Sequence, residues 1–393
     1  MKKLKIIVGG FIGLYPTGGA AIDYIQYPLG LALLGHDVYY IEDTMLYPIY
    51  QQKGEQWNDA TGCIAYLKAT MEHFGLKDKW AYRDIASGTC FGMSLTKVLD
   101  ICKTADVFIN ISCSTCMRDE YYNIPCRILV DSDPMFTQVT YYDELKGTAT
   151  TTVKKLVESH NYLFSFGENI GKEDCLIPTF EYNWISTRQP VCLELWGKSG
   201  KIPGTSFTSI MNWSGRQRMN YLNDSWGQKD IEFEKFLMLP LVLPEISFNV
   251  VINPPLHAES NFNLQNLKNN NWNVLNPHET VANYNDYINF IEQSFAEFSI
   301  AKETYVKSKS GWFSCRSACY LAAGKPVVTQ ETGWSKYIPS GNGLFTFIDM
   351  NSAAQAIRTV SGNARKHEQA AIEIANTYFD SKVVLTEMIN KLN

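Results

Sequence analysis

Residues 309–333 read KSGWFSCRSACYLAAGKPVVTQETG. This order of residue types predicts a polar loop with a glycine, a short helix, a Gly-Lys-Pro break, a buried strand at Val327-Val328 and a second polar loop. We expect the helix to begin within residues 310–314, where its first N–H groups have no partner inside the helix and carry a partial positive charge. Such a helix start suits an anion, most simply a diphosphate, although an ordinary serine-capped surface helix would show the same residues.

Cations and hydroxyl groups surround this predicted anion site. Arg216 follows the strand predicted over 206–211 and, with Arg218, could either clamp a phosphate or belong to a solvated basic turn. The predicted diphosphate ligands are Arg216, Lys309, Ser310, Gly311, Trp312, Phe313, Ser314 and Arg316.

The second polar loop follows the predicted strand at Val327-Val328. Its residues Gln330, Glu331, Thr332 and Gly333 place amide, carboxylate and hydroxyl groups at the carboxyl end of that strand. Sugar hydroxyls both donate and accept hydrogen bonds, so these groups suit a sugar. A plain polar turn that closes on the glycine is the alternative.

Strand and helix patterns alternate in both halves of the chain. The first half begins with a buried run at 4–8, a helical spacing at 20–34 and a strand pattern at 37–41, and the second half restarts with the strand at 206–211. Such alternation predicts α/β architecture with parallel sheets covered on both faces. We therefore predict two Rossmann-like, doubly wound domains that face each other across a cleft.

A segment rich in residues that break secondary structure, 187–204, separates the two series. It places the predicted domains at 1–195 and 196–393. Open parallel sheets bind ligands at their carboxyl edges, so we expect both edges to face the cleft. The asparagine-rich stretch at 261–273 is expected to form an exposed loop.

Glycines flank the loop between the first strand and the first helix. A dinucleotide fingerprint needs Gly-x-Gly-x-x-Gly directly before the helix, and the spacing at 9–19 does not meet this requirement, which disfavours a NAD-dependent enzyme. We expect Gly18 and Gly19 instead to let a second substrate approach the backbone.

Three aspartates are expected at the carboxyl edge of the first sheet. Asp23 lies near the start of the first helix, and Asp131 and Asp133 follow the strand predicted over 127–130. Asp131 is assigned to the acceptor side of the cleft. Either Asp23 or Asp133 could be a general base, and either could simply cap a helix.

The composition bears on the partners of the protein. The chain has 35 Lys and Arg against 40 Asp and Glu, a formal charge of -5, so no global field attracts a polyanion and DNA is not favoured. No apolar run of about 18 residues is present, so no transmembrane segment is expected. The ten cysteines lack the spacing of a disulfide framework, which favours the cytoplasm.

Together these motifs resemble those of GT-B glycosyltransferases. The resemblance rests on the glycine-rich first loop, on residues 29–38, and on the Ser-Gly-Trp-Phe-Ser segment at 310–314 that leads into Gly-Lys-Pro-Val-Val at 324–328. It implies a C-terminal domain that binds a nucleotide sugar, most simply a UDP-sugar, and an N-terminal domain that binds the acceptor. It also implies that the last helices cross back to the N-terminal domain, and that no metal or further cofactor is bound.

Two departures from the family patterns leave the stereochemistry open. The retaining Glu-x7-Glu pattern would place carboxylates near Gly311 and Cys319, and neither is acidic. The plant-type His-Cys-Gly-Trp-x-Ser pattern is echoed at 309–314 without its histidine. We favour inversion, which needs only one base. The acceptor stays open between a small molecule, a glycan and a hydroxymethylated DNA base, and a non-catalytic protein that binds sugar nucleotides or glycans is the alternative function.

Overall fold

The computed structural model describes residues 2–48, 59–197, 204–255 and 261–392. The strands of the first half are β1 (Lys5–Gly9), β2 (Asp37–Glu42), β3 (Trp80–Arg83), β4 (Cys90–Gly92), β5 (Val107–Ile111), β6 (Cys126–Asp131), β7 (Tyr162–Ser165) and β8 (Trp184–Ser186). Its helices are α1 (Gly18–Leu33), α2 (Thr61–His73), α3 (Leu95–Thr104), α4 (Asp119–Tyr122), α5 (Phe136–Leu145) and α6 (Val153–Ser159).

These strands form one sheet in the order β4-β3-β2-β1-β5-β6-β7-β8. All neighbours pair in parallel except β3 and β4, which are antiparallel at the edge. The central strand β5 is buried at every position, as expected for a parallel strand covered on both faces.

The second half repeats the architecture. Its strands are β9 (Ser206–Asn212), β10 (Met219–Tyr221), β11 (Asp224–Trp226), β12 (Ser247–Asn253), β13 (Asn273–Leu275), β14 (Ala296–Ser299), β15 (Val327–Gln330) and β16 (Leu344–Phe347). Its helices are α7 (Lys229–Glu234), α8 (Leu239–Val242), α9 (Leu264–Asn269), α10 (Pro277–Thr280), α11 (Tyr284–Gln293), α12 (Glu303–Ser308), α13 (Cys315–Ala322), α14 (Met350–Gly362), α15 (Ala364–Tyr378) and α16 (Ser381–Asn390).

Six of these strands form a second, wholly parallel sheet in the order β13-β12-β9-β14-β15-β16, and β10 and β11 form a separate hairpin. The predicted fold class, two Rossmann-like halves, is confirmed. No helix in the described ranges is both long enough and apolar enough to cross a lipid bilayer. The asparagine-rich stretch is not simply a loop, because α9 forms within it, with the side chain of Asn263 capping its first turn.

Helix α16 returns to the first half and packs on α1. A Cβ added at Gly30 would lie 2.6 Å from Leu385 and 2.8 Å from Ser381, so the two helices touch at this glycine. Val191, after β8, exchanges backbone hydrogen bonds with Phe379 and Ser381, at 2.7 Å and 2.8 Å. The boundary near residue 195 stays a prediction, because residues 198–203, within the predicted linker, lie outside the described residues.

Candidate functional site

The carboxyl edges of the two sheets meet at Asp133, which follows β6. Its carboxylate accepts hydrogen bonds from Lys302, 2.7 Å away, and from the hydroxyl of Tyr305. Arg216, which follows β9, lies 3.6 Å from the other carboxylate oxygen. One carboxylate of the first half therefore binds three side chains of the second half.

This environment determines the acidity of Asp133. Burial alone would raise the pKa of Asp133, but the charges of Lys302 and Arg216 and the hydrogen bond from Tyr305 hold it well below its usual range. Such an acidic carboxyl group is a poor proton acceptor. The structure thus contradicts the prediction of Asp133 as an alternative base and shows it as a contact between the halves.

Asp23 has the opposite environment. The residue lies in the second turn of α1, and its Oδ1 atom is fully buried without a hydrogen-bond partner among the described residues. Burial raises the pKa of Asp23 to about 7, against the opposing charge of Arg316. An unpartnered carboxylate with a pKa near neutrality suits a general base.

The start of α1 is held against the second half. Thr17 caps the helix, and Gly18 donates its N–H to the carbonyl of Val281 over 3.3 Å. A Cβ at Gly18 would lie 2.4 Å from the carbonyl oxygen of Asn283, whereas one at Gly19 would meet no atom closer than 3.6 Å. The close approach at Gly18 is therefore made by protein backbone and not by a substrate, whereas a role of Gly19 beside a substrate stays a prediction.

The loop between β1 and α1 is fixed by the end of β2. Glu42 accepts the N–H groups of Gly13 and Leu14 at 2.8 Å and 2.5 Å, and Tyr40 accepts that of Ile12 at 3.0 Å. Nicotinamide-dependent Rossmann enzymes place an acidic residue in this region to bind a ribose hydroxyl. Here the carboxylate is already occupied, in agreement with the glycine spacing that disfavours such an enzyme.

Helix α13 begins at Cys315 with Ser314 as its N-cap, so the prediction that residues 310–314 form its first turn is wrong. Gly311 donates its N–H to the loop after β15 over 2.7 Å, and Trp312 donates its N–H to the hydroxyl of Ser310 over 3.1 Å. These two N–H groups are used inside the loop. They are not left for a diphosphate.

The same loop contacts the first half. Asn169 donates its backbone N–H to the carbonyl of Ser310 over 3.0 Å and its side-chain amide to the carbonyl of Lys309 over 2.9 Å. The indole of Trp312 donates to the carbonyl of Ser132 over 3.1 Å. The loop predicted to cradle an anion therefore serves largely as a contact between the halves, and the side chain of Lys309 is exposed.

The first turn of α13 keeps polar groups that have no partner. Phe313 is buried and stacks on Phe379, 5.1 Å between ring centroids, so its side chain is structural. The hydroxyl of Ser314 does not cap the helix, and the buried hydroxyl of Ser317 has no hydrogen-bond partner in the described ranges. The helix therefore starts at residue 315, after the predicted loop, and the binding of an anion at this start stays a prediction.

Arg316 is not a free cation. Its guanidinium donates to Glu297 at 2.5 Å, to Ser299 at 2.7 Å and to the carbonyl of Ile210. These contacts bind α13 to β14 and β9. The predicted direct contact of Arg316 with a diphosphate is therefore replaced by a supporting position beneath the helix start.

The predicted sugar ligands after β15 are also engaged. The amide of Gln330 donates to Glu232 over 2.6 Å and accepts a backbone N–H over 3.1 Å. The carboxylate of Glu331 accepts the N–H of Gly333 at 2.5 Å, and the hydroxyl of Thr332 donates to a backbone carbonyl in the loop before α13 at 2.6 Å. These contacts favour the alternative of a polar turn. Among the four predicted sugar ligands, Gln330 is the least available, because both the oxygen and the nitrogen of its buried amide already have hydrogen-bond partners.

Asp131 is structural as well. Its buried carboxylate accepts hydrogen bonds from Thr137 at 2.6 Å and from Gln138 and Ser165 at 2.9 Å. The carboxylate thereby joins the end of β6 to α5 and β7. The prediction of Asp131 as an acceptor ligand is contradicted because both of its oxygens have partners inside the first half.

Sequence reasoning missed Lys229, the first residue of α7. Only 8% of the residue is exposed. Its ammonium makes no hydrogen bond or ion pair within the described residues. Burial, with the charges of Arg316 and Lys302, lowers the pKa of Lys229 well below its usual range, against the opposing charges of Glu297 and Asp133. A buried lysine that makes no direct ion pair is a candidate ligand for an anion, whose charge would favour the ammonium form.

Other buried polar atoms of the second half also lack partners in the described part of the chain. Those in or beside α7 and α13 are Gln228 Nε2, Asp230 Oδ1, Glu297 Oε2 and Ser317 Oγ, whereas Trp196 Nε1 and Ser381 Oγ lie elsewhere. Buried polar groups are nearly always hydrogen-bonded in a complete structure. The proximity of the first four atoms to α7 and α13 indicates that this side of the cleft is built for a polar ligand.

The described residues contain no group of three or more His, Cys, Asp or Glu side chains arranged to hold a metal ion. Two cavities lie away from the cleft. One of about 90 Å³ lies between Arg188 and α16, and one of about 640 Å³ lies between α2, β3 and α3. Neither contains Asp23 or Lys229.

Comparison with solved structures agrees with this fold. HepE from Anabaena in complex with UDP is 12% identical, with 99% of each chain covered and a TM-score of 0.56. Sucrose-phosphate synthase from Thermosynechococcus elongatus is 11% identical, with 99% of this chain and 98% of that chain covered and a TM-score of 0.53. A glycosyltransferase from Rickettsia africae ESF-5 is 14% identical, with 100% and 98% covered and a TM-score of 0.51.

The chain thus has the GT-B glycosyltransferase fold over its whole length. No protein-family profile matches the sequence, and no curated protein sequence is significantly similar to it.

Proposed function

We propose that this protein transfers a sugar from a nucleoside diphosphate sugar, most simply a UDP-sugar, to an acceptor hydroxyl. One observation carries the proposal: Asp23, whose buried Oδ1 has no partner, and the buried Lys229, which makes no direct ion pair among the described residues, both sense the charges of Arg316 and Asp133. A base for the acceptor and a cation for the leaving group are the two functions that this reaction needs. The similar structure of HepE, solved with UDP-glucose, supports the choice of donor.

The C-terminal half would hold the diphosphate at the start of α13. The N–H groups of the first turn, at residues 315–317, have no partners inside the helix and carry partial positive charge. Lys229 and Lys302 lie near this helix start, and Arg216 approaches from β9. These groups would stabilise the charge that develops on the departing diphosphate. No step of the proposal is routed through a metal ion.

Asp23 would act on the acceptor. As the acceptor oxygen attacks the anomeric carbon, its proton passes to the carboxylate of Asp23, and the bond from that carbon to the diphosphate oxygen breaks with its electron pair leaving on the diphosphate. A single displacement of this kind inverts the anomeric carbon and needs one base. Proton NMR of the first product anomer checks the inversion, and a retained anomer would contradict it.

A panel of UDP, GDP, dTDP and ADP sugars tests the donor. We expect one nucleotide sugar to raise the melting temperature and to be cleaved to its nucleoside diphosphate, because binding to the native state stabilises it. Stabilisation by a sugar that is never cleaved, with any acceptor, would instead support the non-catalytic alternative. No stabilisation by any member of the panel would overturn both.

Lys229→Met tests the diphosphate site itself. Losing a charge-assisted hydrogen bond of about 1.5–3 kcal/mol should weaken nucleotide affinity about 10- to 150-fold. Lys68→Met, on the exposed face of α2, is the matched control. Arg316→Ala is a poorer test because it would leave Glu297 buried without its partner.

A cytoplasmic location stays a prediction from the cysteine pattern.

A further inference from the structure

The part of the cleft that belongs to the first half is aromatic. Phe11 and Tyr15 lie in the loop between β1 and α1, and Tyr24 directly follows Asp23 in α1. The ring of Phe11 meets those of Tyr15 and Tyr24 edge to face, at centroid distances of 5.3 Å and 5.8 Å. All three side chains are only half-buried, so part of each ring is accessible.

These rings lie beside the proposed base. Burial raises the pKa of Tyr24 most, a hydrogen bond with Ser112 opposes this, and the nearby charges of Asp23 and Asp133 raise the pKa further. Tyr15 contributes to the raised pKa of Arg216, which faces Asp133. A ligand in contact with these rings would therefore present its reacting group near Asp23.

The aromatic loop is held in one position. Its backbone N–H groups are bound by Glu42 and Tyr40, as described above. Next to them, a Cβ at Gly10 would lie 2.8 Å from the ring of Tyr24 and 2.8 Å from the hydroxyl of Tyr40. Rings presented by such a packed loop lose little entropy when a ligand stacks on them.

Charge differs between the two sides of the cleft. In the described loops after β1, β2, β5 and β6, at 10–17, 43–48, 112–118 and 132–135, the only basic side chain is Arg118, and Asp43 binds it bidentately at 2.7 Å and 2.8 Å. The cations of the cleft, by contrast, come from the second half. These four loops therefore offer carboxylates, hydroxyls and rings but no unpaired cation, although the loop after β7, at the same edge of the sheet, carries the exposed Lys172.

We infer that the acceptor is an uncharged carbohydrate, one of whose sugar rings packs on Phe11 and Tyr15 with a hydroxyl directed to Asp23. This inference rests on the proposed function. The apolar face of a sugar ring suits an aromatic surface, and its hydroxyls suit Tyr and Asp side chains. A polyanion such as DNA would need Lys or Arg to neutralise its phosphates, and these loops supply none.

A glycan array probed with the full-length protein in the presence of UDP tests this inference. Neutral oligosaccharides are compared with sulfated, phosphorylated and uronic acid counterparts of the same sugars, and a duplex containing hydroxymethylcytosine is added as a separate probe. We expect at least one neutral glycan to bind about tenfold more tightly than its anionic counterpart. Preference for the anionic member, binding of the DNA alone, or binding of no glycan would overturn the inference.

Variants separate this inference from the proposed function. Phe11→Ala and Tyr15→Ala should each weaken neutral glycan binding about tenfold and leave UDP affinity within about twofold. Phe11→Leu keeps the apolar packing of the loop and should still lose affinity if the ring face matters. Tyr122→Ala, an exposed ring in α4, is the control and should change neither value. Failure of the unmodified protein to bind UDP would count against the proposed donor site. Unchanged glycan binding by the three loop variants would count against the aromatic site.

Discussion

Asp23 and Asp133 lie in the same cleft, yet their surroundings act in opposite directions. Asp133 has a cation and a phenol on one oxygen and a second cation on the other, and its pKa is lowered. Asp23 has an oxygen with no partner, and burial raises its pKa to about 7. Position in the cleft does not by itself make a carboxylate a base. For this pair, the two cations beside Asp133 and the unpartnered oxygen of Asp23 decide which carboxylate is available for a proton.

The largest expected effect is on turnover. Asp23→Asn removes the proton acceptor without changing the shape of the side chain, and kcat should fall about 100- to 10,000-fold. UDP affinity should be unchanged, since Asp23 does not belong to the proposed diphosphate site. Nucleotide release with saturating donor and acceptor measures the first value, and calorimetry with UDP the second. Asp100→Asn, a surface carboxylate of α3, is the control, and full activity of Asp23→Asn would remove Asp23 as the base.

The pH dependence sharpens the same comparison. Because the base must be unprotonated, kcat/KM should fall about tenfold for each pH unit below 7 and level off above it. Burial also raises the pKa of Glu42 to about 7, so Glu42→Gln is the necessary control. In this variant the fall of kcat/KM below pH 7, the acidic limb of the profile, should be unchanged. A limb centred near pH 4 would show that Asp23 does not titrate as its burial requires.

Asp133→Asn should change stability more than chemistry. Removing the charge leaves Lys302 and Arg216 without their counter-ion, and the free energy of unfolding should fall by about 1–3 kcal/mol in urea titrations. Turnover should fall less than about tenfold. Asp174→Asn breaks another ion pair between the halves, with Lys336, but both of its side chains are exposed, so the loss of stability should be smaller than in Asp133→Asn. A larger loss of turnover in Asp133→Asn than in Asp23→Asn would reverse the comparison.

The smallest expected effect is a gain in the thermal stability of Asp23→Asn. The pKa of Asp23 is higher in the folded state, about 7, than the ordinary value of 3.8, so the folded protein binds more protons between these values and its stability falls as the pH rises through this range. Asp23→Asn escapes this loss. Its melting temperature should therefore exceed that of the unmodified protein by more at pH 8 than at pH 4, by about 2–4 °C for each kcal/mol recovered. Equal differences at both pH values would contradict the raised pKa.

Much of the fold could be predicted because regular elements carry local patterns. The strand predicted over 206–211 is β9, and the helix pattern at 20–34 is α1, both within two residues. β14 gives no such signal, because its sequence Ala-Glu-Phe-Ser places a glutamate inside the strand and has no apolar run. α5 is rich in aromatic and β-branched residues, which favour strands, and forms a helix through its packing on β6 and β7.

The site was less predictable than the fold. Asp23 could be placed because the carboxyl edge of a parallel sheet follows from topology. Its difference from Asp133 could not, since Lys302 and Tyr305 lie 169 and 172 residues from Asp133 along the chain. Likewise, the loop at 309–313 has the composition of an anion site, and only the packed structure shows that its polar groups bind the first half.

The contact between α1 and α16 links the order of synthesis to the packing of the first half. Leu385 and Ser381 lie against Gly30 of the helix that carries Asp23, and they follow that helix far along the chain. An N-terminal half that has already emerged from the ribosome would therefore hold Asp23 on a helix with one side uncovered. The proposed base would reach its final packing only after the residues of the proposed donor site had been synthesised.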